Sequence, residues 1–156
     1  MKKFINKPSD FVNEMLEGIY ASHSDQVTFV GNDLHCYVRK QMKKDKVGII
    51  TGGGSGHLPL FLGYVGDNML DGCAVGDVFQ SPGADQILEV TRSVNQGRGV
   101  LYLYGNYTGD IMNFDLASEI AITEGIQIAT TVCNDDVASG IKGEEHKRRG
   151  IAGIFF

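Results

Sequence analysis

Proline and cysteine are both scarce in this chain, 3 residues of each in 156. The cysteines, Cys36, Cys73 and Cys133, stand far apart, are odd in number and form no Cys-x-x-Cys pair. That spacing offers no zinc site and points to a reducing, cytoplasmic setting. Basic charge is also short: 14 Lys and Arg stand against 19 Asp and Glu, for a formal net charge of -5. No basic face is left over for electrostatic binding of nucleic acid. The one basic run, Lys40, Lys43, Lys44 and Lys46, is expected to be a solvated loop. No stretch of about 18 apolar residues occurs anywhere, and no apolar run follows the lysines of Met1 to Pro8. Export and membrane insertion are therefore unsupported. What the chain has in plenty is glycine, 21 residues, together with 42% hydrophobic residues. That is enough for one globular domain burying roughly 70% of its unfolded surface, with sites shaped by backbone.

Helical periodicity begins after Pro8 and Ser9 with Phe11, Val12, Met15, Leu16, Ile19 and Tyr20, and Ser9 or Asp10 is placed to cap it. Val27 to Val30 and Leu34 to Val38 flank Gly31-Asn32-Asp33, the composition of a hairpin turn. From Val47 onward, apolar runs alternate with loops and helical patterns. Strands are expected near Val47-Ile50, Ala74-Phe79, Val100-Tyr104 and Ile126-Val132. Helices are expected through Ile87, Val90 and Val94 and through Ile111, Phe114, Ala117 and Ala121, the second ending near Gly125. Strand, loop, helix, strand is the pattern of an α/β fold, here a mostly parallel sheet with helices on both faces, a short N-terminal helix and a hairpin. Residues 1–156 read as one unit. Its last run, Ile151 to Phe156, is apolar with no polar tail. The chain is accordingly expected to be part of a longer protein, the alternative being a C-terminal strand that completes the sheet.

Ligands of open parallel sheets bind beyond the carboxyl ends of the strands, where loops converge and helix amino termini point inward. Four segments meet that condition: Thr51 to Pro59, Gly76 to Pro82, Gly105 to Asp110 and Asn134 to Asp136. In Thr51-Gly52-Gly53-Gly54-Ser55-Gly56-His57-Leu58-Pro59 the P-loop pattern fails, because His57 stands where a lysine is needed. The dinucleotide fingerprint fails in register, at His57 or at Pro59. A backbone able to approach a small ligand remains, with one imidazole at its edge. Asp110 is either the N-cap of a helix starting at Ile111 or, with His57 across the same crevice, an acceptor for a substrate hydroxyl proton. Asp135 and Asp136 read as a solvated turn, Asp77 as a turn or cap residue, and no metal site is expected.

Five blocks occur in order along the chain: Gly52-Gly53-Gly54-Ser55-Gly56-His57; Gly63-Tyr64-Val65-Gly66 with Met69-Leu70; Gly76-Asp77-Val78-Phe79-Gln80-Ser81-Pro82; Asn106-Tyr107-Thr108-Gly109-Asp110 with Met112-Asn113-Phe114; and Arg148-Arg149-Gly150-Ile151-Ala152-Gly153. Together they resemble the substrate-binding subunit of bacterial dihydroxyacetone kinase of the phosphotransferase-dependent type, in its N-terminal portion or a close paralogue. The resemblance implies a unit that holds dihydroxyacetone, while a separate nucleotide-binding kinase subunit carries ATP or ADP with magnesium, so that no cofactor belongs to this chain. It implies a cytoplasmic homodimer in glycerol metabolism. Site by site it implies backbone contact to the ligand from Gly54, a hydrogen bond from His57, and Asp110 as general base.

The chain departs from the family pattern in three places. Leu58 stands where glutamate is usual, and Gly105 where lysine is usual. The histidine that binds the ketone covalently belongs to a second half of family members, and His23, His35 and His146 sit in no matching motif. Loss of the two charges gives weight to an alternative, a kinase-like dihydroxyacetone sensor or transcriptional coactivator without phosphotransfer. The expected activity remains that of a kinase subunit, inactive as this segment alone.

Overall fold

The computed structural model describes residues 3–150. The N-terminal periodic stretch forms α1 (Phe11–His23) and the hairpin follows as β1 (Val27–Phe29) and β2 (Cys36–Arg39). The alternating region supplies β3 (Gly48–Gly54), β4 (Gly72–Gly76), α2 (Ala84–Val94), β5 (Val100–Gly105), α3 (Thr108–Thr123) and β6 (Ile128–Cys133). The six strands make one sheet in the order β1-β2-β4-β3-β5-β6. Pairings β3–β4, β3–β5 and β5–β6 are parallel, whereas β1–β2 and β2–β4 are antiparallel. The sheet is therefore mixed and mostly parallel, with the hairpin spliced onto its edge through Cys36 opposite Ala74 and Val38 opposite Gly72.

Side chains on successive strand residues point to opposite faces, and the core divides accordingly. Cys36, Val38, Ala74 and Tyr102 join one cluster with Ile87 and Val90 of α2 and Phe114 of α3. Tyr37, Cys73 and Val75 join the other, with Val12 and Leu16 of α1 and Phe61. The Tyr37 hydroxyl donates to the Leu16 carbonyl at 2.8 Å, tying α1 to its strand. Phe114 stacks on Tyr104 at 4.1 Å and meets Tyr102 edge-on at 5.1 Å, which locks α3 over β5.

Several sequence expectations are corrected. The glycine run is not a turn after Ile50: β3 continues through Gly54, pairing Gly52 with Ala74 and Gly53 with Val75. Glycine is required there by close approach, since a Cβ on Gly52 would sit 2.7 Å from the Ala74 carbonyl oxygen and one on Gly53 would enter the Phe61 ring. The fourth strand stops at Gly76 rather than Phe79, because Phe79 has a left-handed φ of 58° and is 92% exposed. Asp10 occupies the N-cap of α1 without a capping bond; its carboxylate instead accepts the Ser9 hydroxyl at 2.8 Å. The lysine run is a loop with Lys40, Lys43 and Lys44 exposed, as expected, and Lys46 alone departs from that reading, being half-buried against Asp71. Lys46 pairs with Asp71 at 2.6 Å, Lys43 with Asp67 at 3.3 Å, and Lys40 donates to the Ser24 carbonyl at 2.7 Å. The apolar last run, Ile151 to Phe156, which was weighed as a strand completing the sheet, lies outside the described residues.

Candidate functional site

The sheet order creates a divergence. From β3 the chain leaves to β4 on one side, and from β5, adjacent to β3, it leaves through α3 to β6 on the other. A crevice must open at the carboxyl ends of β3 and β5, and all four segments singled out in the sequence reach it. A cleft of about 770 Å³ is lined there by Gly54 and His57 after β3, Ser81 after β4, Asp110 after β5, and Asp136 after β6. Of the residues proposed from sequence, Gly54, His57 and Asp110 thus share one cavity.

Each is positioned for a local reason. The turn after β4 folds back on Gly54, where a Cβ would lie 3.0 Å from the Gln80 carbonyl oxygen and 3.1 Å from that of Asp77. The Asp77 carbonyl accepts the Ser55 amide at 3.2 Å and the Gln80 amide at 3.1 Å, so Asp77 is a turn residue, as expected. His57 ends a short 3₁₀ turn, exposed, with its ring between Phe61 and Tyr107, both at 5.8 Å between centroids. Asp110 is not an N-cap, because α3 starts three residues earlier than the capping reading requires: Tyr107 is the cap and Asp110 the third helical residue. Its side chain therefore turns inward from the first turn. Asn113 donates to the Pro82 carbonyl at 2.8 Å, clamping that turn to the loop after β4.

Asp110 is 5% exposed, and its Oδ1 is buried without a hydrogen-bond partner. Burial pushes its carboxyl above the ordinary value, while a hydrogen bond from Ser81 and the charge of His57 work in the opposite direction. A buried carboxylate with an open lone pair facing a cleft is suited to accept a proton from a ligand hydroxyl. The Tyr107 hydroxyl, raised chiefly by burial, stays protonated and donates to the Gly150 carbonyl at 3.0 Å.

Sequence reasoning assigned no role to Ser81, Tyr107, Asn113 or Arg149, all of which line the cleft. Ser81, Tyr107, Asn113 and Arg149 fall inside the blocks that carry the family resemblance, which was the available signal, but no periodicity or spacing marks them as neighbours. Asp136 accepts the Ala138 amide at 3.0 Å as a turn residue while also bordering the cleft. Among the described residues no group of three His, Cys, Asp or Glu side chains is placed to hold a metal ion. Of the two positions that lack the family's usual charge, Leu58 packs against the cluster around Phe61, and neither Leu58 nor Gly105 lines the cleft.

Residues 17–156 match the family model of the Dak1 domain. Over 154 residues the chain is 44% identical to the PTS-dependent dihydroxyacetone kinase 2, dihydroxyacetone-binding subunit DhaK, of Listeria innocua, covering 98% of this chain and 46% of that protein. The crystal structure of the dihydroxyacetone kinase from C. freundii in complex with AMP-PNP and Mg2+ superposes with a TM-score of 0.88 at 32% identity, over 99% of this chain and 29% of that one. The dihydroxyacetone kinase operon co-activator Dha-DhaQ superposes with a TM-score of 0.81 at 37% identity, over 91% of this chain and 43% of that one. The chain thus spans less than half the length of each of these relatives.

Proposed function

The chain belongs to the Dak1 domain family, and from that premise we propose that its cleft holds a small dihydroxy ketone of the dihydroxyacetone type for phosphorylation by a nucleotide-bearing partner subunit. Asp110 takes the proton of the ketone's terminal hydroxyl. The freed oxygen forms a bond to the terminal phosphorus of the nucleotide as the bond from that phosphorus to the leaving diphosphate oxygen breaks. His57 and the Gly54 backbone hold the ketone in place. The observation that carries this reading is the buried Asp110 carboxylate with its unpartnered Oδ1 on the same cleft as His57. Nucleotide and magnesium belong to the partner in this reading, as the family resemblance implies; that no lysine stands between Gly52 and His57 is consistent with it.

The same reading includes a homodimer, carried by the family resemblance, and a reducing cytoplasmic setting, which the three free cysteines fit. No helix among the described residues is long and apolar enough to cross a membrane. It also includes a layered sheet with α1 against one face and α2 and α3 against the other, supported by the division of the core into two clusters.

In the full-length subunit assayed with its nucleotide-bearing partner, Asp110→Asn should lower turnover by about 10²–10⁴-fold with a smaller effect on ketone binding. Unchanged turnover would remove Asp110 from the chemistry. The likeness to the co-activator favours a second reading, ketone sensing without transfer. That reading predicts ketone binding by the wild type with no phosphorylation under any supply of partner subunit.

A further inference from the structure

Arg149 is built differently from the other described arginines. Arg39 pairs with Asp67 at 2.6 Å, Arg98 with Asp45 at 2.7 Å, Arg148 with Glu145 at 3.4 Å, and Arg92 donates from Nε to Glu124 at 2.8 Å. Arg149 forms no ion pair among the described residues. Its backbone is nevertheless fixed at both ends. The amide donates to the Ser139 hydroxyl at 2.9 Å and the carbonyl accepts the Asp136 amide at 2.8 Å.

The guanidinium lies over the Tyr107 ring, 6.0 Å from its centroid, and that ring is pinned by its hydroxyl to the Gly150 carbonyl. A cation held on an aromatic face, with its donor edge free, is pre-organised without being neutralised. Arg149 also borders two hollows at once, the cleft that contains His57 and Asp110 and an adjoining recess of about 360 Å³ lined by Asn106, Thr108, His146 and Lys147. Among the described residues of the cleft wall it is the one arginine, and none of them is a lysine. An anchored, unpaired guanidinium on the wall of the cleft that holds Asp110 and His57 is a site for a ligand anion. Its planar fork matches two oxygens of a phosphate, which a point-charge lysine would not.

We propose that Arg149 is a phosphate-binding residue of this cleft, receiving the oxygens of the phosphoryl group at the end of a three-carbon ligand whose hydroxyl oxygen meets Asp110. The inference rests on the kinase-subunit reading for the identity of the ligand, and on the placement of Arg149 for the site. It separates two roles within one cavity: Asp110 meets the reacting hydroxyl, and Arg149 meets the charge that the product carries and the unreacted ketone lacks.

The test uses the full-length subunit and two probes, dihydroxyacetone and dihydroxyacetone phosphate, titrated by NMR against wild type, Arg149→Gln and Arg149→Lys. The phosphate ester should bind at least 10-fold more weakly to Arg149→Gln, with Arg149→Lys intermediate, while affinity for the unphosphorylated ketone stays within about twofold. Equal ester affinity in wild type and Arg149→Gln, parallel weakening of both probes, or failure of the wild type to bind the ester would each overturn the assignment. Turnover measured alongside with the partner subunit distinguishes the two claims. A wild type without turnover refutes the kinase reading, while the ester titration still decides the role of Arg149.

Discussion

Replacing Asp110 by asparagine should make the protein more stable while removing its proposed chemistry. The native carboxylate is 5% exposed with one oxygen unpartnered. Leaving a buried polar group unsatisfied costs about 1–3 kcal/mol, and more for a charge, against about 1 kcal/mol returned by a hydrogen bond such as that from Ser81. Asparagine keeps the shape and removes the charge, so a gain of about 1–2 kcal/mol is expected, equivalent to roughly 2–8 °C in Tm for a chain of this size. The gain must depend on pH. Burial raises the Asp110 carboxyl above its ordinary value of 3.8, so the native state holds the proton more tightly than the unfolded chain does. The wild type therefore has its full stabilisation from protonation below about 3.8 and loses it as the pH rises through the native value. The margin of Asp110→Asn over wild type should be widest at neutral pH and close as the pH falls toward 4. Urea unfolding followed by circular dichroism at pH 7.5, 6 and 4.5 measures it. A variant no more stable than wild type at pH 7.5, or a margin independent of pH, would refute the argument from burial.

Other outcomes follow from the packing. Asp71, 2% exposed, accepts the Lys46 ammonium at 2.6 Å and the Ile49 amide at 2.8 Å and faces Arg39, itself 4% exposed, at 3.5 Å. Asp71→Ala leaves the buried Arg39 guanidinium with the exposed Asp67 alone and orphans the Ile49 amide, and should cost about 3–5 kcal/mol, whereas Lys46→Met should cost under about 1 kcal/mol; equal losses in denaturant would contradict the pairing. Gly53→Ala should cost about 1–3 kcal/mol by forcing the buried Phe61 ring aside, while Gly18→Ala, with open space around it in α1, should gain about 0.5–1 kcal/mol. Thermal melts of the pair check both signs. Burial and the nearby Asp33 push the Cys36 thiol up to about 12, and burial raises Cys73 strongly as well. Iodoacetamide at pH 8 should therefore modify Cys133, which is partly exposed, before either of them; alkylation of Cys36 or Cys73 in the folded protein at the rate of the unfolded chain would count against the packing.

Local pattern sufficed for much of this molecule. The 3.6-residue repeats from Phe11 to Tyr20, Ile87 to Val94 and Ile111 to Ala121 placed α1, α2 and α3, because each must turn one apolar stripe inward whatever it packs against. Gly31-Asn32-Asp33 was legible as a turn because Gly31 and Asn32 adopt left-handed φ values of 63° and 54°, which those residue types tolerate. Gly54, His57 and Asp110 could be chosen as site candidates because parallel strands release their loops at one edge, a rule that needs only the order of elements. What sequence left undetermined is whatever depends on a neighbour distant along the chain. Whether the glycine run was strand or turn depended on Ala74 and Phe61, and whether Lys46 was solvated depended on Asp71, 25 positions away. Asp110 was equally compatible with capping a helix and with facing a ligand until α3 began at Thr108 and turned the carboxylate into the cleft. Arg149 stood in the sequence only as part of a block shared with the family; the return of that segment over Tyr107 set its guanidinium beside Asp110's cavity. Periodicity reports which face of an element is apolar, whereas burial of a charge and convergence on a site are properties of pairs that tertiary packing alone creates.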